Sequence, residues 1–336
     1  MATAIQHRRD LEVTYGTTDT LSPLIRRVEC RNPGPFTFKG TGTYILGRGQ
    51  VAVIDPGPVL EAHLQAVLDG LGPDEQVTHI FITHTHSDHS PGAAWLKEKT
   101  GATVYGFGPH GLVGPNDPND KVDFSKYFTK EEKEGYDKEY EDLDPALKRE
   151  GPDLEFQPEE RVSDGDVIDA GDGNWRVEAV HTPGHCSNHI CYALPQEGVL
   201  FTGDHVMAWA TSVIGPPDGS MRDYLQSLRK LLDRSDQDRR YWPTHGPSVD
   251  DPATYVRSFL DHREERERQI ISFFTTAPAT IADLVPQLYA GYDKRLWYPA
   301  AGSVYAHVLS MVEDGRLRVA DGEDPKLTST YEGDPK

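Results

Sequence analysis

Apolar residues come in short runs along the first two thirds of the chain, and most runs end in Gly, Pro, Asp or His. In TGTYILGRGQVAVIDPG (41–57), Tyr44, Ile45 and Leu46 precede a GRGQ turn, and Val51, Val53 and Ile54 follow it. That pattern predicts two short strands. Residues 59–71 (VLEAHLQAVLDGL) carry helical spacing and stop at Gly70 and Gly72. A strand in THIFIT, a His-rich bend, a helix in AAWLKEKTG closed by Gly101 and a strand in ATVYGF follow. Strand, helix, strand in this order predicts an α/β class.

Residues 108–160 break the rhythm with Gly, Pro and dense charge. They read either as a surface insertion of charged helices or as a lid over a neighbouring site. After them, DVIDAGDGNWRVEAVHTPGH repeats the strand–turn–strand pattern, and HICYAL and GVLFTGD read as another pair of strands. SMRDYLQSLRKLLDR is an amphipathic helix with Tyr224, Leu225, Leu228, Leu231 and Leu232 on one face. The short strand in RRYWPTHGPS runs into a loop. Spans 36–107 and 161–250 thus look like two similar β-rich modules. From about Tyr255 the pattern turns helical. Three helices and a short β segment after a Gly turn outline a winged-helix-like unit over 255–320. Residues 321–336 are polar, carry Pro and Gly, and are expected to be disordered.

The chain has 336 residues, which suggests one large domain (1–254) and a smaller one. No apolar run approaches the ~20 residues a membrane helix needs, and the N-terminus lacks the apolar core of an export signal. The expectation is a soluble, cytoplasmic protein with no membrane partner. Three cysteines at no zinc-like spacing argue against a disulfide framework. The net charge of -20 disfavours nucleic acid as a partner and favours a small-molecule substrate.

HTHSDH places His84, His86, Asp88 and His89 in one bend after an apolar strand. Imidazole and carboxylate suit a borderline divalent ion such as zinc. Strand side chains alternate, so only a bend lets such residues converge. His185 after TPG, Asp204 after VLFTG and His245 after YWPT share the same context: an apolar strand, a breaker, then a ligand-type side chain.

HTHSDH, TPGH (182–185), GD (203–204) and the His of PTHGP, with TGTY and VIDPG upstream, resemble the ordered motifs of the metallo-β-lactamase superfamily over residues 36–250. The resemblance implies an αββα sandwich of two mixed sheets with helices outside. The helical tail resembles the winged-helix extension of one subgroup, which includes endoribonucleases. Carried over, His84, His86 and His185 would hold one metal, Asp88, His89 and His245 a second, and Asp204 would bridge them. Two zinc ions (iron or manganese being alternatives) would share a hydroxide, and Asp88 would orient it and take up a proton. The aspartate at 204 looks more like the glyoxalase II, lactonase and nuclease branches than like antibiotic-degrading members.

The expected reaction is hydrolysis of a small ester, thioester or lactone; the alternative is RNA phosphodiester cleavage. His205 and Trp209, beside and after Asp204, are expected to touch substrate. His189 and Asp55 are weighed as supports of the metal ligands, with a turn cap as the plainer role for Asp55. The tail would pack on the core or on a second subunit, the latter giving a homodimer.

Overall fold

Strand pairing begins with residues the apolar pattern passes over. The computed structural model describes residues 5–111, 120–141 and 151–333. Thr18–Thr20 (β1) pairs antiparallel with Ile25–Glu29 (β2). The string IRRVE reads as surface, yet all five residues of β2 are buried. Arg26 shows how: its guanidinium donates to Glu75 at 2.6 Å and to the carbonyls of Gly70 and Gly47. A buried charge persists when it is paired and its donors are used.

The expected elements follow: Gly42–Leu46 (β3), Gln50–Ile54 (β4), Glu61–Asp69 (α1), Gln76–Phe81 (β5), Gly92–Thr100 (α2) and Thr103–Gly106 (β6). Next come Lys130–Glu141 (α3) and the edge strand Glu160–Arg161 (β7). One sheet runs in the order β1 to β7, antiparallel as far as β4 and parallel beyond it. Val167–Asp169 (β8), Arg176–His181 (β9), Ile190–Leu194 (β10), Val199–Gly203 (β11) and, after the helix Met221–Asp233 (α4), Arg240–Pro243 (β12) build a second sheet. Its order is β12-β11-β10-β9-β8, and only β11 and β12 run parallel.

The pleat sorts β10 between two cores. Ile190, Tyr192 and Leu194 face the first sheet, packing with Tyr44, Ile54 and Phe81. Cys191 and Ala193 face outward, with Tyr224, Leu228 and Leu231 of α4. α1 and α2 cover the other outer face through Val67 and Leu96. The result is the four-layer αββα sandwich, and its strand ends open toward one edge.

The helix Pro252–Phe274 (α5) starts at an Asp251 cap and a Pro in its first turn. Val256 and Phe259 pack under the second sheet, whereas Ile270 and Phe274 belong to the C-terminal core. The expected domain boundary at 254/255 thus lies within one continuous helix. Ala279–Thr280 (β13), Ile281–Leu288 (α6), Trp297–Glu313 (α7), Leu317–Val319 (β14) and Thr330–Gly333 (β15) complete this unit. β15 corrects the expected disorder of 321–336. It is the central strand of the sheet β13-β15-β14, and its Tyr331 is fully buried against Phe274. One buried aromatic and two strand partners outweigh the polar composition around it. Residues 334–336 lie outside the described residues.

Of the insertion, 112–119 and 142–150 lie outside the described residues. Its centre does have an apolar face. Phe124 is fully buried, edge-on to Trp297 and Tyr298, and Lys294 donates to the Tyr127 carbonyl and to Glu132. Among the described residues, no helix is long and apolar enough to cross a membrane.

Candidate metal centre

All seven candidate ligands stand just beyond strand ends at one edge of the sandwich. The 84–89 bend leaves β5, His185 lies between β9 and β10, Asp204 follows β11, and His245 follows β12. Two glycines permit this convergence. At Gly203 (φ +51°) a Cβ would sit 2.6 Å from His189 Nε2 and 2.8 Å from Thr83 Oγ1. At Gly184 (φ +139°) it would sit 2.3 Å from the Tyr224 Cα, so only glycine lets the His185 loop pass α4.

His86 Nδ1 lies 3.0 Å from both His84 Nε2 and His185 Nε2. The far nitrogens fix the tautomers. His185 Nδ1 is 2.6 Å from the Val213 carbonyl, which can only accept, so Nδ1 carries the hydrogen. His84 Nδ1 is 3.1 Å from Thr83 Oγ1, whose own hydrogen goes to Asp55 Oδ2 at 2.7 Å. Both Nε2 atoms therefore turn lone pairs on His86 Nδ1. A hydrogen there could satisfy one of them, whereas a cation would satisfy all three nitrogens. Burial, with help from the neighbouring imidazoles, pulls His84 and His185 below the ordinary imidazole pKa and takes His86 down to about 3. All three rings are neutral at pH 7, the form a metal requires.

The second group is polar in a different way. His245 Nε2 lies 3.0 Å from Asp88 Oδ2 and 3.4 Å from Asp204 Oδ1. His89 Nε2 lies 3.5 Å from Asp88 Oδ2 and 3.7 Å from Asp204 Oδ2. Asp204 Oδ2 is also 3.9 Å from His185 Nε2, so one carboxylate reaches both groups. Asp204 Oδ1 and the Nε2 atoms of His89 and His245 are buried without a hydrogen-bond partner. Burial opposes charge on both imidazoles, but Asp204 and Asp88 outweigh it. They push His245 up to about 9 and His89 well above its ordinary value. Burial likewise opposes the carboxylates, yet His245 and His89 hold Asp204 down to about 2 and Asp88 lower still. Among the described residues, three groups have donor atoms that could hold a metal: His84/His86/His185, His84/His89/Asp204 and Asp88/His89/His245.

Behind these side chains stands Asp55, which is fully buried at φ +49°. It accepts from Thr83 N and Oγ1, Thr244 Oγ1 and His89 Nδ1, all within 2.7–2.9 Å. Asp55 is thus far more than a turn cap. His245 Nδ1 meets the Gly40 carbonyl at 2.9 Å. His189 accepts from the Asp204 N–H at 3.2 Å. His205 departs from the expected substrate contact. Its ring is fully buried between His189 and Tyr224, with neither nitrogen partnered, and burial takes it down to about 3. The turn after Gly203 aims it inward, away from the rim. Trp209 stacks on Phe38 with centroids 5.2 Å apart, and its Nε1 is buried without a partner. His110 also stands at this edge, with Nδ1 3.0 Å from Thr85 Oγ1 and its ring beside His86.

A family profile described as the metallo-beta-lactamase superfamily matches residues 37–245, a span that holds all seven residues. The chain belongs to the metallo-beta-lactamase superfamily. Residues 280–324 match a beta-lactamase associated winged helix domain. A beta-lactamase-like protein 2 homolog of Drosophila melanogaster is 30% identical, over 92% of this chain and 94% of its own length. An atrochrysone carboxyl ACP thioesterase of Aspergillus fumigatus is 29% identical, over 75% of this chain and 65% of its own. The solved structure of a beta-lactamase domain protein from Burkholderia ambifaria has a TM-score of 0.73, covering 96% of this chain and 95% of that one. At 20% identity it shows the fold alone. The chain is therefore a hydrolase of this superfamily, with groups that could hold a divalent metal.

The two groups of this superfamily hydrolase differ in what a metal must displace. His84, His86 and His185 are already neutral. With His245 raised to about 9, a metal taking its Nε2 expels a proton at any pH below that value. Apparent affinity at Asp88/His89/His245 should therefore fall about tenfold per pH unit for each proton displaced. With a metal supplied to both groups, chelator competition between pH 8 and 6 should strip Asp88/His89/His245 first. Equal release from both groups would contradict the assignment.

Proposed function

We propose that the chain is a dinuclear metallo-hydrolase, most readily zinc-dependent, acting on a small thioester or a related ester or lactone. The observation that carries this reading is the convergence of the His84 and His185 lone pairs on His86 Nδ1 at 3.0 Å. His84, His86 and His185 would hold one ion, Asp88, His89 and His245 the other, and Asp204 both. Iron or manganese would suit the same nitrogen and oxygen donors. When bound, the metals supply a water of lowered pKa and a Lewis acid for the substrate oxygen. The protein's own residues do the rest. Asp55 and the Gly40 and Val213 carbonyls hold the imidazoles in the ligating tautomer. The Asp88 carboxylate would receive the proton released as the nucleophile attacks, at the oxygen not given to the metal. Trp209 and Phe38 would form an apolar wall for the acyl group.

Thioesterase-named relatives favour a thioester among the three acyl substrates. Charge weighs against RNA: Arg295, Arg316, Arg318 and Lys294 of the C-terminal unit each pair with a carboxylate. The end of the insertion is fastened to the bend, where Gly151 O accepts from Ser87 N and Asp153 N donates to Thr85 O. A substrate panel tests the proposal. Acyl thioesters, esters, lactones and single-stranded RNA are offered to wild type and Asp88→Ala. The expected result is acyl hydrolysis that drops roughly 10²–10⁴-fold in the variant. RNA cleavage lost in Asp88→Ala, with every acyl substrate untouched, would overturn it.

A further inference from the structure

The C-terminal unit takes no part in the chemistry above, yet it reaches the candidate metal centre through the loop 212–214. On its inner side, residues 212–214 touch the site. The Val213 carbonyl accepts from His185 Nδ1 at 2.6 Å, and Ser212 Oγ donates to the Asp204 and His205 carbonyls at 2.5 and 2.7 Å. On its outer side, the same loop is gripped at Ser212 and Ile214 by two helices of the C-terminal half. Arg263 of α5 donates from Nη2 to the Ser212 carbonyl at 2.5 Å, and Ser303 Oγ of α7 accepts from the Ile214 N–H at 3.1 Å. Gly302 of α7 lies against Gly215, where an added Cβ would be 3.9 Å from its Cα.

Arg263 is an expensive way to hold a loop. It is only 4% exposed, its Nε has no partner, and its guanidinium stands over the Tyr224 ring at 5.2 Å. The Tyr224 hydroxyl in turn donates to the His205 carbonyl at 3.0 Å. Filling space alone would favour an apolar side chain of similar length, without the desolvation cost of a cation. What Arg263 adds is a directed, charge-assisted bond to one carbonyl, a single residue from the carbonyl that orients His185.

We propose that the winged-helix unit is a positioning element of the metal centre. Arg263 and Ser303 fix loop 212–214, and the loop fixes the tautomer and direction of His185. The inference rests on the reading of His185 as a metal ligand. Arg263 is a positioning residue; it acts on the metal only through the Val213 carbonyl.

The test uses the full-length chain and the variants Arg263→Met, Arg263→Lys and Ser303→Ala, loaded with zinc or with cobalt(II) as a spectroscopic probe. Arg263→Met should weaken metal at His84/His86/His185 by about 10–100-fold in chelator competition, as for other residues that orient ligands. Metal at Asp88/His89/His245 should shift less, and the cobalt absorption of the first group should change. Arg263→Lys should restore part of the affinity, because an ammonium can still donate to the Ser212 carbonyl. Ser303→Ala removes one hydroxyl from a helix face and should give a smaller shift of the same kind, which keeps the test open if Arg263→Met fails to fold. Wild-type affinities and unchanged cobalt spectra in folded variants would overturn the proposal. So would equal loss from both groups together with a lowered melting temperature. A wild-type chain that takes up no metal overturns the ligand assignment, and this proposal with it.

Discussion

Asp204→Ala is expected to abolish hydrolysis, lowering kcat/KM by more than about 10³-fold, or roughly 4 kcal/mol in the barrier. Asp204 is the carboxylate whose two oxygens approach His89, His245 and His185, at 3.4–3.9 Å. Its removal takes a donor from both proposed ions at once. It also takes from the buried His89 and His245 one of the two carboxylates that face their Nε2 atoms. The variant should lose at least one metal and keep its fold, since the Asp204 backbone remains tied to His189 and Ser212. Steady-state hydrolysis of the best acyl substrate, with circular dichroism as the folding control, measures the effect. A folded variant with a tenth of wild-type activity would remove Asp204 from the mechanism.

Asp55→Ala should damage stability as well as metal binding. Four donors converge on that carboxylate, and alanine leaves all four without it in a site closed to water. Unmet buried donors cost about 1–3 kcal/mol each, and some will relax onto other partners, so the net loss should be on the order of 3–5 kcal/mol. Alanine also tolerates the positive φ at this position poorly. Metal affinity should fall a further 10–100-fold, because His89 loses the acceptor that fixes its tautomer. Asp55→Asn keeps the shape and accepts the backbone conformation more readily, so it should fall between wild type and alanine. Urea unfolding of the metal-free chain and chelator competition read the two effects separately. Wild-type stability in Asp55→Ala would mean that Asp55 does no more than cap its turn.

The sandwich was legible because its strands are short apolar runs, buried on both faces and punctuated by Gly and Pro. The seven candidate residues were legible because four crowd into one bend after an apolar strand, and His185, Asp204 and His245 each follow a strand and a breaker. What lay hidden is long-range or carried by the backbone. The Gly40 and Val213 carbonyls have no side-chain signature, yet they direct His245 and His185. Asp55 meets Thr244 across 189 residues of chain, which the local string VIDPG could not reveal. β2 was missed because Arg26 is buried against Glu75, a pairing invisible to a local hydropathy count. The tail was misread because one residue, Tyr331, turns a polar segment into a central strand. His205 was misplaced because adjacency to a ligand in sequence says nothing about which way the ring points.

Counting the metal ions bound per chain tests the paired site most directly. Zinc-reconstituted wild type, desalted near pH 8 and weighed by native mass spectrometry, should carry two ions, and His86→Ala should carry fewer. A folded wild-type chain that binds none, or that binds one ion untouched by any of the seven substitutions to alanine, would contradict the two-metal centre.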